Sequence, residues 1–402
     1  MPRRQFCGAA AAISLLTLVR AMLLFLLDWL SACWPASELA ALERITPRAA
    51  LAAAASFVLA IACGRRMIRW LAARFREPNK SASPDVERLH QAKAATPTMG
   101  GLFIVSGILG SCALVCDWHN PYLPITLGAV AALTALGACD DLVKLRTARR
   151  GLKARTKLIV QTAIALVAAV LIYRVNESLL GGLDLVVPFT GRTLGLGWWF
   201  VPLAAVTIVG SSNAVNLADG LDGLAGGCLV SAGAALAMVT YAAGHATWSA
   251  YLNVPHVPGA GELTVVAAAM LGGVLGFLWF NCHPASVFMG DTGSLPLGGL
   301  LGLLAVMARQ ELLLVAIGGV FVAEAGSVIL QVAGFRLTKK RIFRCAPLHH
   351  HFQLGGWPED KVVVRFWIAA ALCALLGLTG LQGRSADVPA KIQLTAIDET
   401  SR

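Results

Sequence analysis

Charge is what this 402-residue sequence has least of: Asp, Glu, Lys and Arg together make up 14% of it, against about a quarter in an ordinary soluble protein. That shortage excludes a disordered chain, which needs solvated charge and little apolar surface. It also excludes a typical water-soluble globule. Paired cysteine motifs are missing as well. Cys7, Cys33, Cys63, Cys112, Cys116, Cys139, Cys228, Cys282, Cys345 and Cys373 form no Cys-x-x-Cys pair. Neither a zinc framework nor a disulfide scaffold is expected, and the cysteines read as small buried hydrophobes.

What is there is apolar, at 57% hydrophobic residues, and it comes in blocks. These lie near 45–64, 99–116, 121–139, 156–173, 197–215, 223–243, 263–281, 295–308, 312–335 and 363–381. Most approach the ~20 residues a spanning helix needs. The fold class is therefore all-α, a polytopic membrane bundle of about ten helices over residues 45–381, with a polar tail at 382–402. The block ending near Ala308 is short, and Arg309, Gln310 and Glu311 mark a tight turn after it. Gly and Ala abound in the blocks, as close helix packing in lipid requires.

The formal net charge of +11 sits mostly in three alternate loops. One holds Arg65 to Lys93, the next Lys144 to Lys157, the third Arg336 to Arg365. Basic loops stay cytoplasmic, which sets the orientation and puts both ends of a ten-span bundle outside. Residues 1–44 read as an N-terminal extension. Its apolar stretch Ile13–Trp34 contains Arg20 and Asp28. It reads as a further span, as a surface segment after a start at Met22, or as a cleaved signal peptide.

Five loops lie on the basic side, and two of them hold acid without base. The loop near 213–222 carries Asn213, Asn216, Asp219 and Asp222, and the loop near 282–294 carries His283 and Asp291. Such acids run against the orientation trend and point to a site at the membrane surface. Asp140 and Asp141 end another block beside Lys144. Adjacent carboxylates repel unless a cation, a proton or a base relieves them. A divalent metal, an anionic headgroup or a solvated helix end each fit. Gly220 and Gly223 interrupt the three-residue spacing of the Asn and Asp groups, so the acids are expected on a turn. Asp291 either caps a helix or binds Mg²⁺, which takes one or two carboxylates plus substrate phosphate. Phe288 stacks on a base or anchors the interface. Lys93 precedes Thr98 and a Gly pair that suits a ligand or a neighbouring helix. His349, His350 and His351 do not have zinc spacing and suit anion binding or proton transfer. Glu324, inside a span, is functional or paired within the bundle.

These residues fall in five motifs: K-A-A-T-P-T-M-G-G from Lys93, D-D-L-V-K from Asp140, N-A-V-N-L-A-D-G-L-D-G-L from Asn213, F-M-G-D-T-G-S from Phe288 and A-P-L-H-H-H-F-Q-L-G-G-W-P-E ending at Glu359. In identity and order they resemble the phospho-N-acetylmuramoyl-pentapeptide transferases. Those form a branch of the polyprenyl-phosphate N-acetylhexosamine-1-phosphate transferase superfamily. The carboxylate motifs indicate the superfamily, and the triple-His loop indicates the branch. Ala95 stands where the pattern has Gly, and Gln353 where it has an acid.

The resemblance implies transfer of phospho-N-acetylmuramoyl-pentapeptide from its UDP carrier to undecaprenyl phosphate, giving lipid I and UMP in peptidoglycan synthesis. It implies Mg²⁺, a homodimer, a bacterial inner membrane and an active site facing the cytoplasm. Carried over by motif, Asp140, Asp141 and Asp291 are catalytic. Asp291 is the metal ligand, with Asp140, Asp141 and Asn216 as further candidates. Lys93, Asp219 and Phe288 fall at the uridine pocket. Lys144 and Lys157 face phosphate, and His349, His350 and His351 face phosphate or sugar. Thr98, Asn213, Asn216, Asp222 and Asn281 complete the substrate-binding set. The rivals are an N-acetylglucosamine-1-phosphate transferase and, in another class, a transporter. A transporter would carry midplane charges and inverted repeats, whereas here the charge gathers in loops and no repeat is visible.

Overall fold

The computed structural model describes residues 44–74, 96–147 and 151–382. The three readings of the leader, the 383–402 tail, Lys93 and Ala95 lie outside the described residues. The chain divides into two units, Met1–Arg48 and Ala49–Arg402. Of the first, only the start of helix α1 (Ile45–Arg74) and Arg44 before it are described.

The second unit is helical. It contains α2 (Gly101–Val115), α3 (Tyr122–Arg146), α4 (Ala154–Asn176), α5 (Phe200–Ala218), α6 (Leu224–Gly244), α7 (Ala246–Leu252), α8 (Ala260–Asn281) and α9 (Asp291–Met307). After these come α10 (Glu311–Ile317), α11 (Gly319–Thr338), α12 (Leu348–Gln353) and α13 (Glu359–Thr379). Eight of the described helices are long and apolar enough to cross a membrane, and α2 and α9 are shorter apolar helices. The protein is thus a polytopic helical membrane bundle. Large side chains such as Ile159, Val167, Ile329 and Leu372 point outward, as a lipid solvent permits.

α9 is the axis of the bundle. Every residue from Asp291 to Met307 is buried, with α2, α3, α5 and α6 packed around it. Small residues make this possible. Gly298 and Gly302 face the backbone of α5 at Ser212 and Ile208, where a Cβ would stand 2.8 Å from either Cα atom. Helices that lack a hydrophobic drive toward each other in lipid associate through such close contacts.

Three expectations change in detail. The block ending near Ala308 extends back to Asp291 rather than starting at 295. The block at 312–335 is two helices, broken at Gly318 and Gly319, a Gly pair that relaxes the helical backbone. A two-stranded hairpin, β1 (Asp184–Val187) paired antiparallel with β2 (Arg192–Gly195), lies between α4 and α5. The described cysteines are all free, but only Cys112, Cys116 and Cys228 are buried. Cys63, Cys139 and Cys282 are exposed, which apolar surroundings in lipid tolerate.

Candidate active site

The motifs meet where α3 ends and α9 begins. Gly137 sits one turn before Asp140, and a Cβ there would collide with the Asp291 carbonyl. Gly101 lies equally close to the Gly293 backbone. A short backbone pairing draws the Thr96–Gly101 segment to the same place. Phe288 N–H donates to Pro97 O at 2.8 Å, and Gly100 N–H to Phe288 O at 2.8 Å. Gly290 has φ 69°, the left-handed region that glycine enters without steric cost. Its turn places Asp291 in the first turn of α9, where a carboxylate is favoured by the helix dipole.

Asp140, Asp141 and Asp291 converge there, all buried, with ligand oxygens within 4.8 Å of one another. Lys144 Nζ reaches all three, at 2.9 Å from Asp140, 3.3 Å from Asp141 and 3.1 Å from Asp291. Lys157, from the start of α4, pairs closely with Asp291 as well. The three acids are not equivalent. Asp141 accepts Thr292 N–H at 2.9 Å, Thr292 Oγ1–H at 2.6 Å and Asp291 N–H at 3.2 Å. It caps the start of α9. Among the described residues, Asp140 accepts Leu152 N–H at 2.8 Å besides its lysine and lies within hydrogen-bond reach of the Asp291 carboxylate. Asp291 accepts Asn216 Nδ2–H at 2.8 Å, and the same amide nitrogen donates to Ser294 Oγ at 2.8 Å.

Below Asn216, the α4–α5–α9 contact is polar. Gln161 donates to Ser212 Oγ at 2.6 Å, Ser212 donates to Leu295 O at 2.8 Å, and Asn213 donates to Gln161 Oε1 at 2.8 Å. Asn213 therefore locks α5 to α4 rather than facing the carboxylates. Thr292, Gln161, Ser212 and Ser294 did not stand out in the sequence. A lone Gln inside the apolar α4 was the one available signal.

The turn after α5 carries the remaining acids, as its glycines predicted. Asp219 ends α5, and burial together with the Asp291 and Asp141 carboxylates pushes its carboxyl up to about 8. Asp222 belongs to a separate group. It accepts from the His283 ring at 2.9 Å and Ala285 N–H at 3.1 Å, and its own N–H donates to Glu359 at 2.9 Å. Asn281 accepts Gly223 N–H at 3.0 Å and donates to Val287 O at 2.8 Å. Asp222 and Asn281 hold the two acidic loops against each other. Phe288 and Thr98 flank this junction, half-buried and buried respectively.

The three histidines occupy α12 and do different things. His349 is buried, its ring against Gly220 and its Nδ1 3.3 Å from Glu324. Glu324 Oε1 accepts His349 N–H at 3.2 Å, so Glu324 is partnered within the bundle. His350 bonds to Gln353 at 2.9 Å, and His351 Nδ1 accepts Arg344 N–H at 3.1 Å.

Among the described residues, three carboxylates face two lysines at this centre, a formal excess of one negative charge. A divalent cation would make it one unit positive. The donor set is oxygen only, compact and buried, which fits a hard cation. A site of this kind can bind a pyrophosphate and move a phosphoryl group next to a membrane.

Comparison with known proteins agrees. Residues 123–309 match the model described as Glycosyl transferase family 4, and fold and site together define a membrane glycosyl-1-phosphate transferase of that class. Residues 93–105 match phospho-N-acetylmuramoyl-pentapeptide-transferase signature 1. A relative in Desulfosudis oleivorans is 50% identical over 73% of this chain and 82% of its own length. One in Nitratidesulfovibrio vulgaris is 46% identical over 85% and 94%. One in Caulobacter sp. (strain K31) is 43% identical over 90% and 100%. All three are named phospho-N-acetylmuramoyl-pentapeptide-transferase. The chain belongs to that family.

Proposed function

We propose that the chain transfers phospho-N-acetylmuramoyl-pentapeptide from its UDP carrier to undecaprenyl phosphate, releasing UMP, at the cytoplasmic face of a bacterial inner membrane. The observation that carries this reading is the carboxylate–lysine centre at the start of α9. One substrate is soluble and the other is anchored in lipid, so their phosphates can meet only at a membrane surface. The basic end of α3, the basic start of α4 and the basic loop that follows α11 support the cytoplasmic orientation.

Asp291, with Asp140, Asp141 and Asn216 beside it, would hold Mg²⁺. That ion would offset repulsion between the acids and the substrates and stabilise charge on the leaving oxygen. Asp140, which does not cap α9 as Asp141 does, takes the proton of the lipid phosphate. Lys144 and Lys157 neutralise phosphate oxygens. Asp219, Phe288 and Lys93 surround the uridine. His349, His350 and His351 contact phosphate or sugar. The lipid tail follows an apolar groove of about 420 Å³ between α5 and α11, lined by Leu203, Val206, Gly210, Phe321 and Ile329. The working unit in this proposal is a homodimer, as the resemblance implies, and the mass of the purified particle tests it.

The test is substrate discrimination. Purified protein with undecaprenyl phosphate and Mg²⁺ is offered UDP-N-acetylmuramoyl-pentapeptide or UDP-N-acetylglucosamine. UMP is expected with the first alone. UMP with the second alone would assign the sister reaction, and uptake without UMP would mark a transporter.

A further inference from the structure

On the face opposite the carboxylates, where α9 ends, lies a cavity of about 620 Å³. One α9 length, about 25 Å for its 17 residues, separates the two. The cavity is lined by Gly181, Asp184, Thr193, His256 and Arg309, with Leu179 and the exposed Leu180 at its apolar side. Arg309 is 5% exposed. Its Nε is buried and has no hydrogen-bond partner among the described residues. The nearest carboxylate, Asp184, stands 3.9 Å from its Nη2, beyond hydrogen-bond length. Glu311, two residues on, also feels the Arg309 charge, but no hydrogen bond joins the two side chains among the described residues. Arg309 also has φ 57°, a strained conformation for a side-chain-bearing residue that persists where the surroundings demand it.

A buried guanidinium without acceptors is costly, and its planar fork matches a phosphate. Asp184 at the cavity margin supplies an equal negative charge, 32% exposed. Arg309 and Asp184 form an ion pair too long for a hydrogen bond, and such a cation and anion side by side are complementary to a zwitterion. The volume falls within the range of small-ligand sites.

We propose that this cavity binds the phosphoethanolamine headgroup of a phospholipid in the adjoining leaflet. The phosphate meets Arg309 and the ammonium meets Asp184. Phosphoglycerol lacks the ammonium, and phosphocholine lacks its N–H donors, so both fit less well.

The full-length protein, delipidated in detergent, is titrated with phosphatidylethanolamine or phosphatidylglycerol and examined by native mass spectrometry. The ethanolamine lipid should bind about tenfold more tightly, the size of one charge-assisted hydrogen bond. Soluble phosphoethanolamine should displace it. Arg309→Gln should abolish binding. If that variant fails to fold, Asp184→Asn, at the exposed margin, should remove the preference between the two lipids. Equal binding of both lipids to the wild type, or an unchanged preference in Asp184→Asn, would overturn the proposal. Binding of soluble phosphoethanolamine by a protein that fails to bind phosphatidylethanolamine would overturn the lipid assignment.

Discussion

Asp140 and Asp141 are neighbours in sequence and differ in what they hold. Asp141 caps the start of α9 with three hydrogen bonds, whereas Asp140 bonds one backbone amide and Lys144. Replacing each by Asn should separate these roles. Asp141→Asn leaves buried donors at Thr292 and Asp291 poorly matched, which costs roughly 1–3 kcal/mol. Its unfolding temperature in detergent should fall. Asp140→Asn should keep the wild-type unfolding temperature and lose turnover. The Asp222 brace offers a second residue-scale prediction. Glu359→Gln weakens the acceptor for Asp222 N–H, so KM for the nucleotide sugar should rise several-fold, about 1 kcal/mol of lost charge-assisted bonding, with kcat nearly unchanged. Asp219, Asp222 and Asp291 were legible in the sequence because their loops carry acid without base, and Asp140 and Asp141 because adjacent carboxylates need a cation or proton between them. Their division into a carboxylate–lysine centre and a brace was not, because His283, Glu359 and Thr292 become partners only through chain separations of 61, 137 and 151 residues.

At the scale of elements, lipid made the helices readable. A spanning segment needs ~20 apolar residues, so block edges in the sequence fell close to helix ends. The break at Gly318 and the β1–β2 hairpin escaped that rule, the first because an apolar run hides a kink, the second because strands of four residues carry little pattern. What positions the site is close approach of helices. Gly101→Ala would drive a Cβ into the Gly293 backbone, which cannot rotate away as a side chain can. Overpacking of this kind costs about 1–3 kcal/mol, and here it would also move Asp291. Thermal unfolding and turnover should both fall in Gly101→Ala. Gly128, with open space around it, should accept Ala with no loss of either.

The whole molecule is a charge-sorted bundle. Its basic excess collects in three loops, and three of the acids, Asp140, Asp141 and Asp291, gather around Lys144, with Lys157 paired to Asp291. The central claim is that this cluster carries the transfer and does so with a divalent cation. UMP release, measured against Mg²⁺ concentration for the wild type and for Asp291→Asn, tests it most directly. The wild type should need Mg²⁺ and saturate with it. Asp291→Asn should purify as a folded protein and release no UMP at any Mg²⁺ concentration. Full turnover by Asp291→Asn, or wild-type turnover undiminished by a chelator, would contradict the account.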